Sequence, residues 1–207
     1  MKSFDRDEKV VITAILITAI TGILFAMLLI NWINTGINTF VKQDDMARQM
    51  LTLVQAGGHY IRANHDALLA QEKDGRPVTI SDQTLQDKGY LPPGFSLENT
   101  RHQHYRLNIT GDPKKPSGLI AFVFTTDGTP IADSAIASIA SQIPHGGYIG
   151  FPGDMAVAAD DSWHIFLSNY GVTGQSGHLL AWIPDDMLPG GEVRPDTLPH
   201  KDIFTVH

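Results

Sequence analysis

The 207-residue chain contains no cysteine, which removes any disulfide framework and any thiol chemistry. Lysine and arginine are also missing from Pro116 to Val193, a stretch that carries eight acids. The formal net charge of the whole chain is -7 at pH 7. Because a phosphate-binding surface needs clustered basic side chains, this balance argues against nucleic acid as a partner and against tight docking on anionic lipid. The acidic stretch fits a solvent-facing surface, or a face that meets a basic partner or orders subunits head to tail.

The 23 residues from Val10 to Trp32 contain no ionisable side chain of either sign. An apolar slab of ~30 Å is crossed by about 20 helical residues, because backbone amides in lipid must be satisfied within the segment. The run therefore predicts a transmembrane helix rather than a buried core helix or the shorter apolar region of a signal peptide. Small and hydroxyl side chains within it, at Thr13, Thr18, Thr21 and Gly22, would let neighbouring helices approach closely in lipid.

Basic residues near the predicted span indicate its orientation. Residues 1–9 carry three bases, whereas the first two beyond Trp32 are Lys42 and Arg48. Since positive charge is retained on the cytoplasmic side, the sequence predicts a cytoplasmic head at 1–9 and a domain outside the inner membrane.

The helical pattern continues past Trp32, over residues 33–71, as an amphipathic extension. Its apolar positions follow mostly at three- and four-residue steps: Ile37, Val41, Ala47, Leu51, Val54, Ile61 and Leu68. Gly57 and Gly58 lie inside this pattern, and two residues of poor helix propensity are expected to kink or end the helix there.

Residues 72–183 predict a globular α+β domain in which the N-terminal helix covers one face of a small, mainly antiparallel sheet. Ser81 begins a short helix that Gly89 ends, and a second helix covers Ile131 to Ile143. Four strands are expected, around Tyr105–Ile109, Leu119–Phe124, Trp163–Leu167 and Leu179–Ile183. A glycine-rich loop follows Pro144, and the last stretch, 184–207, is expected to be irregular or to lie along the surface.

Several groups of residues superficially resemble catalytic or ligand sites. His102 and His104 could face one side of a strand, but zinc needs a third protein ligand that the spacing does not supply. Asp154, Asp160 and Asp161 lack the alternation of a calcium loop, and Gly171 to Gly177 lacks the Lys-Ser/Thr of a phosphate loop. Ser168 and His164 have no nucleophile elbow. The sequence thus predicts no catalytic residue, no metal and no cofactor.

Five segments carry a family resemblance: Leu28–Trp32, Lys88–Phe95, Asp127–Pro130, Gly146–Ile149 and Trp163–Leu180. In these the chain resembles the N-terminal constant region of PilV-type minor pilins, the shufflon-associated tip proteins of thin type IVb conjugative pili. The resemblance implies a pilin-like fold, partners among other pilin subunits and the pilus assembly machinery, contact with membrane lipid, and an oligomer. It implies a single-pass protein of the bacterial inner membrane with a periplasmic domain, reaching the pilus or cell surface on assembly.

Prepilins of this kind are cut after a glycine and keep a glutamate at the fifth position of the new chain. The nearest match here is cleavage after Ser3, which makes Phe4 the first residue and Glu8 the fifth. In the resembled proteins a stalk and an exchangeable recognition segment follow, so no adhesive specificity is expected from this sequence.

The side chains expected to maintain the domain are Trp163, Leu167, Tyr170 and Trp182. A different class of function also fits, namely a single-pass inner-membrane accessory or ligand-sensing protein that never enters a fibre. That function would need a pocket among the loops at 145–153 and 171–177.

Overall fold

The computed structural model describes residues 6–72, 76–115 and 117–189. The chain forms two compact units, Met1–Lys42 and Gln43–His207. The helices are α1 (Arg6–Glu72), α2 (Asp82–Asp87) and α3 (Asp133–Ala140), with 3₁₀ turns at Leu167–Tyr170 and Asp185–Met187. The strands are β1 (Val78–Ser81), β2 (His104–Gly111), β3 (Leu119–Thr126), β4 (Gly146–Ile149), β5 (Met155–Ala158), β6 (His164–Phe166) and β7 (His178–Trp182).

Helix α1 covers both the apolar run and its amphipathic extension, but the expected break at Gly57 and Gly58 is wrong. The non-helical backbone lies at Asn64, with φ -121° and ψ 17°. There the side-chain amide of Asn64 donates to the Tyr60 carbonyl at 2.8 Å, a local bond that competes with regular helix geometry. Gly57 and Gly58 are helical and buried. Their propensity cost is offset by tertiary packing, which helix propensity does not take into account.

The glycines bring α1 close to the chain that follows β7. A Cβ built on Gly57 would lie 2.8 Å from Ile183 Cδ1, and one on Gly58 would lie 3.2 Å from Met187 Cβ. Leu188 is also buried in the core. The first residues after 183 therefore pack against the domain, whereas 190–207 of the expected irregular tail lie outside the described residues.

Seven strands, not four, are found in the described part of the chain, in the order β1-β2-β3-β7-β4-β5-β6 and antiparallel at every pairing. The α+β class and the antiparallel sheet are confirmed. Strand β4 was predicted as loop because it begins Gly146–Gly147, and glycine is depleted in strands. Tertiary crowding explains Gly147: an added Cβ would lie 2.2 Å from the Val157 carbonyl oxygen. Strands β1 and β5, each of four residues, are too short for a periodic signal.

One face of the sheet packs against α1 and α3 to form the first core. Strand side chains that point to this face include Tyr105, Leu107, Val123 and Leu179. From α1 come nine buried side chains between Met46 and Leu68. Helix α3 contributes Ile136, Ile139 and Ala140 and is shorter than predicted, since its N-cap is Ala132 and its C-cap Ser141.

The sheet curls so that its other face encloses a second, aromatic core. Trp163, Leu167, Tyr170 and Trp182 all lie in it, none more than 5% exposed. The rings of Trp163 and Trp182 meet edge-on with centroids 5.9 Å apart, and Phe122 meets Trp182 at 5.2 Å. Such edge-to-face pairs add to the free energy of burial.

Candidate functional site: surfaces of the helix and the domain

Residues 20–31, within the apolar part of α1, expose their side chains on every side of the helix. Residues 20–31 are all exposed, and eight large apolar side chains among them are between 43% and 68% accessible. Thr21 and Gly22 are on this surface, and nothing lies within 4 Å of a Cβ built on Gly22. The side chains of Glu8, Thr13, Thr18 and Trp32 lie outside the described set, as does all of Phe4. Exposed apolar surface of this extent marks a site of interaction with lipid or protein.

Among the described residues, no helix combines the length and the apolar character required to cross a membrane.

In the unit Gln43–His207, a groove of about 410 Å³ separates α1 from the loop that precedes β2. Asp45, Arg48, Gln49 and Thr52 of α1 form one wall. The other wall is Phe95, Ser96, Glu98, Asn99 and Thr100. Arg48 pairs with Asp44 one helical turn away, and both are well exposed. The groove is open, and its walls combine charges of both signs with the apolar side chain of Phe95.

The His102–His104 pair lies beside this groove and is bound to carboxylates. Glu98 Oε2 is 3.0 Å from His102 Nδ1, and Glu98 Oε1 is 3.4 Å from His104 Nε2. His104 Nδ1 also lies 3.5 Å from Asp82 Oδ2. Glu98 and Asp82 are distant in sequence from one another and only folding brings both to the histidines. No group of three or more metal-ligating side chains positioned for an ion occurs among the described residues.

Asp82 connects α2, β2 and, through its neighbour Tyr105, α1. Its carboxylate accepts from the Tyr105 backbone N–H at 2.9 Å and from the Gln83 N–H at 2.7 Å. The Tyr105 hydroxyl donates to Gln49 Oε1 on α1 at 2.8 Å. Burial, and then the nearby Asp82 charge, raise the pKa of Tyr105 well above its usual range, so this hydroxyl stays protonated and remains a donor.

Replacing Asp82 with asparagine tests this connection. One of the two acceptor oxygens becomes a donor that faces an N–H, so we expect a loss of about 2 kcal/mol in the free energy of unfolding. Urea unfolding followed by circular dichroism measures it. Asp87→Asn in the same helix is the matched control, because Asp87 is exposed and should change stability by less than about 0.5 kcal/mol. Equal effects of the two substitutions would contradict the connecting role of Asp82.

Three buried polar side chains, Asn99, Gln103 and His178, join the loops at one end of the sheet. Gln103 Nε2 donates to the carbonyls of Thr129 and Gly177 at 3.0 and 3.1 Å, and its Oε1 accepts from Asn99 at 3.0 Å. His178 Nε2 lies 2.8 Å from the Asp127 carbonyl. Nothing in the sequence signals this network, because its members come from three separate segments.

The segments 145–153, which includes β4, and 171–177 are where a ligand pocket would be needed, and they pack directly on each other and on the core. A Cβ built on Gly174 would lie 2.3 Å from Leu167 Cδ1 and 2.9 Å from the Gly153 carbonyl oxygen. At this contact the loops leave no room for a ligand. Asp160, one of the three suggested calcium ligands, instead accepts from the Ser162 hydroxyl at 2.6 Å, and that bond lowers the pKa of its carboxyl.

The described residues define an α+β protein in which a curled antiparallel sheet packs on the long N-terminal helix α1. Residues 37–203 match the model of the bacterial shufflon protein, N-terminal constant region, and the chain belongs to this family. The predicted likeness to a shufflon N-terminal constant region is thereby confirmed.

Individual relatives of the chain are shufflon proteins as well. Shufflon proteins A', C' and B of Escherichia coli are each 29% identical to the chain over 204 residues, which cover 96% of it. The matched part makes up 46%, 45% and 44% of these proteins, so the chain spans less than half of their length. No solved structure matches the chain.

Proposed function

We propose that the chain is a PilV-like minor pilin, a membrane-anchored subunit of a type IVb or conjugative pilus system that acts in assembly or tip contact. The observation that carries the proposal is the division of α1 into two kinds of surface. Residues 20–31 expose apolar side chains all round, while the part from Met46 to Leu68 contributes buried side chains to the domain core. Membership of the shufflon family supports a place in a pilus.

Burial of the exposed apolar side chains is expected to drive insertion into lipid and later packing among subunit helices. Each large apolar side chain removed from water contributes about 1.5–3 kcal/mol, and eight of them lie between Ile20 and Ile30. The absence of any charge from Val10 to Trp32 allows the whole segment to enter a bilayer. Residues 1–9 would then remain in the cytoplasm and the unit from Gln43 onward would be periplasmic.

In this function the chain works by protein contacts and without catalysis. Its partners would be other pilin subunits and the assembly machinery. The groove between α1 and residues 95–100 supports a contact role, because it combines charged side chains of both signs with the apolar side chain of Phe95. Carboxylates hold the two histidines beside it, which again fits a structural role.

The decisive experiment is the intact mass and N-terminal sequence of the membrane-extracted protein, with and without a co-expressed prepilin peptidase. We expect a new N-terminus at Phe4, or at a residue that begins the apolar run, only when the peptidase is present. The processed protein should also appear in the sheared surface fraction. Glu8→Gln should leave processing intact but reduce the sheared fraction at least about tenfold, since a fifth-position carboxylate is expected to pair with the next subunit's amino terminus.

Asp7→Asn is the matched control, because it removes the neighbouring carboxylate and should leave the sheared fraction unchanged. A chain that still begins at Met1 or Lys2 under both conditions, and that stays entirely with the membrane, would overturn the processed-pilin function. The permanently anchored accessory protein would then be the better account.

A further inference from the structure

Two hairpin tips of the domain carry opposite and complementary chemistry. The β4–β5 tip, residues 150–154, presents Phe151, whose side chain is 87% exposed, beside Asp154. We call it the aromatic tip. The β2–β3 tip, whose described residues are 112–115, 117 and 118, presents Lys114 and Lys115, both exposed. We call it the lysine tip.

Hydrogen bonds link the described residues of both tips. In the aromatic tip the Gly150 N–H donates to the Met155 carbonyl at 3.1 Å, and the Asp154 carbonyl accepts from Leu167 N–H at 2.9 Å. In the lysine tip the Asp112 side chain accepts from the Lys114 N–H at 2.8 Å, and the Lys115 carbonyl accepts from the Gly118 N–H at 2.8 Å. Exposed side chains on ordered turns lose less entropy on binding than those on loose loops.

Strand register places the two tips at opposite ends of the sheet. Ile149, the last residue of β4, pairs with His178 at the start of β7, and Leu180 pairs with Phe124 near the end of β3. The aromatic tip therefore lies at the end where β3 finishes. The lysine tip joins Gly111 to Leu119, where β3 begins. A contact between the two tips must consequently involve two molecules.

We propose that the aromatic tip of one copy docks on the lysine tip of a second copy, in a head-to-tail contact. A lysine ammonium over the Phe151 ring gives a cation–π interaction, and the second lysine pairs with Asp154. The lysine stems cover the edge of the ring. Because the two surfaces differ, the contact is heterologous and repeats from copy to copy.

Charge complementarity selects a second copy as the occupant. No lysine or arginine occurs between Pro116 and Val193, so the strands β4 to β7 around the aromatic tip offer no competing cation. The same balance disfavours an anionic lipid surface, although an exposed phenylalanine alone would suit one. The contact does not depend on the membrane anchor, but tethering copies in one membrane would raise their effective concentration and populate a weak contact.

The absence of cysteine from the chain allows a direct test with two full-length variants. Gly150→Cys places a thiol at the aromatic tip, where an added Cβ meets nothing within 4 Å, and Ser117→Cys places one at the exposed lysine tip. Each variant is expressed alone, and the two are also co-expressed. Membranes from all three samples are treated with a short bismaleimide. We expect a crosslinked dimer from the pair, with a yield at least about fivefold above that of either variant alone.

Substitutions in the cysteine background test the chemistry. Asp154→Lys with Phe151→Ala should lower the mixed yield about five- to tenfold, whereas the control Asp87→Lys, an equal charge change on α2, should leave it unchanged. A charge swap is sharper. Asp154→Lys in one partner and Lys114→Glu with Lys115→Glu in the other should give a higher yield than Asp154→Lys alone. Both possible contacts then join opposite charges, although the swapped contact lacks the cation–π interaction and stays below the unmodified tips.

The proposal is overturned if the mixed pair crosslinks no better than the single variants. It is also overturned if Gly150→Cys alone gives the dominant dimer, which would indicate a symmetric contact, or if Phe151 variants alter attachment to vesicles of neutral lipid without changing the crosslink. Circular dichroism of each variant establishes that a lost crosslink does not arise from unfolding.

Discussion

Replacing Trp163 with alanine is expected to lower the free energy of unfolding of the Gln43–His207 unit by about 3–5 kcal/mol. Trp163 is 1% exposed, meets the Trp182 ring edge-on and contacts the backbone side of β4 at Gly147. Removal of the indole leaves a large cavity between strands that cannot collapse, because β4 and β5 are fixed by their ladder. A loss of this size is a large fraction of the 5–15 kcal/mol typical of a domain. Urea unfolding of the full chain in detergent, followed by circular dichroism, measures it.

Trp163→Phe separates ring packing from hydrogen bonding. Within the described part of the chain, Trp163 Nε1 has no hydrogen-bond partner, so phenylalanine forfeits volume but no such bond. We expect a loss of about 1–2 kcal/mol. A phenylalanine variant as unstable as the alanine variant would show that the indole N–H makes an essential interaction, and would contradict the packing account.

Replacing Gly57 with leucine should destabilise the domain by about 2–3 kcal/mol, the opposite of what helix propensity predicts. In an open helical site, glycine to leucine gains somewhat less than about 1 kcal/mol. At Gly57, however, an added Cβ meets Ile183 at 2.8 Å and Leu107 at 3.2 Å, so the remaining side-chain atoms have no space. Thermal unfolding in detergent provides the comparison.

Gly22→Leu is the matched control, since it makes the same change in the same helix where an added Cβ meets nothing within 4 Å. It should be neutral or slightly stabilising. If both substitutions stabilised the chain, the glycines would be tolerated rather than required, and the close approach of α1 to Ile183 would have no energetic role.

Different parts of α1 stabilise the domain and carry the proposed anchoring function. The segment of α1 from Met46 to Leu68 contributes buried side chains to the domain, whereas the side chains at 20–31 are exposed. Under the proposed function, charges introduced at residues 20–31 are expected to impair anchoring without unfolding the domain. Substitutions at Trp163 or Gly57 are expected to destabilise the domain and to leave the proposed anchoring unchanged.

Helix α1, the strands at β2, β3, β6 and β7, and the short helix after Ser81 were predictable because each has a local signal. Ser81 accepts from the Thr84 N–H at 3.1 Å, and Gly89 has a φ of 77°, as its helix-ending position requires. Strands β1, β4 and β5 were missed because short or glycine-containing strands are stabilised by their neighbours rather than by their own pattern. The aromatic and lysine tips were not recognised, because a turn sequence does not reveal which end of a sheet it occupies.

The sequence by itself determined the long uncharged helix, the antiparallel α+β class, the acidic stretch without bases and the family resemblance, since each rests on composition, periodicity or local motifs. Tertiary structure alone decided where α1 departs from helical geometry, why Gly57 and Gly147 are glycines, and which polar groups meet. Asp82 and Tyr105, or Gln103 and Gly177, are brought together only by strand register and packing. The physical reason is that helix, strand and turn preferences depend on each residue and its near neighbours in sequence. Contacts between distant segments depend instead on the packing of the whole domain.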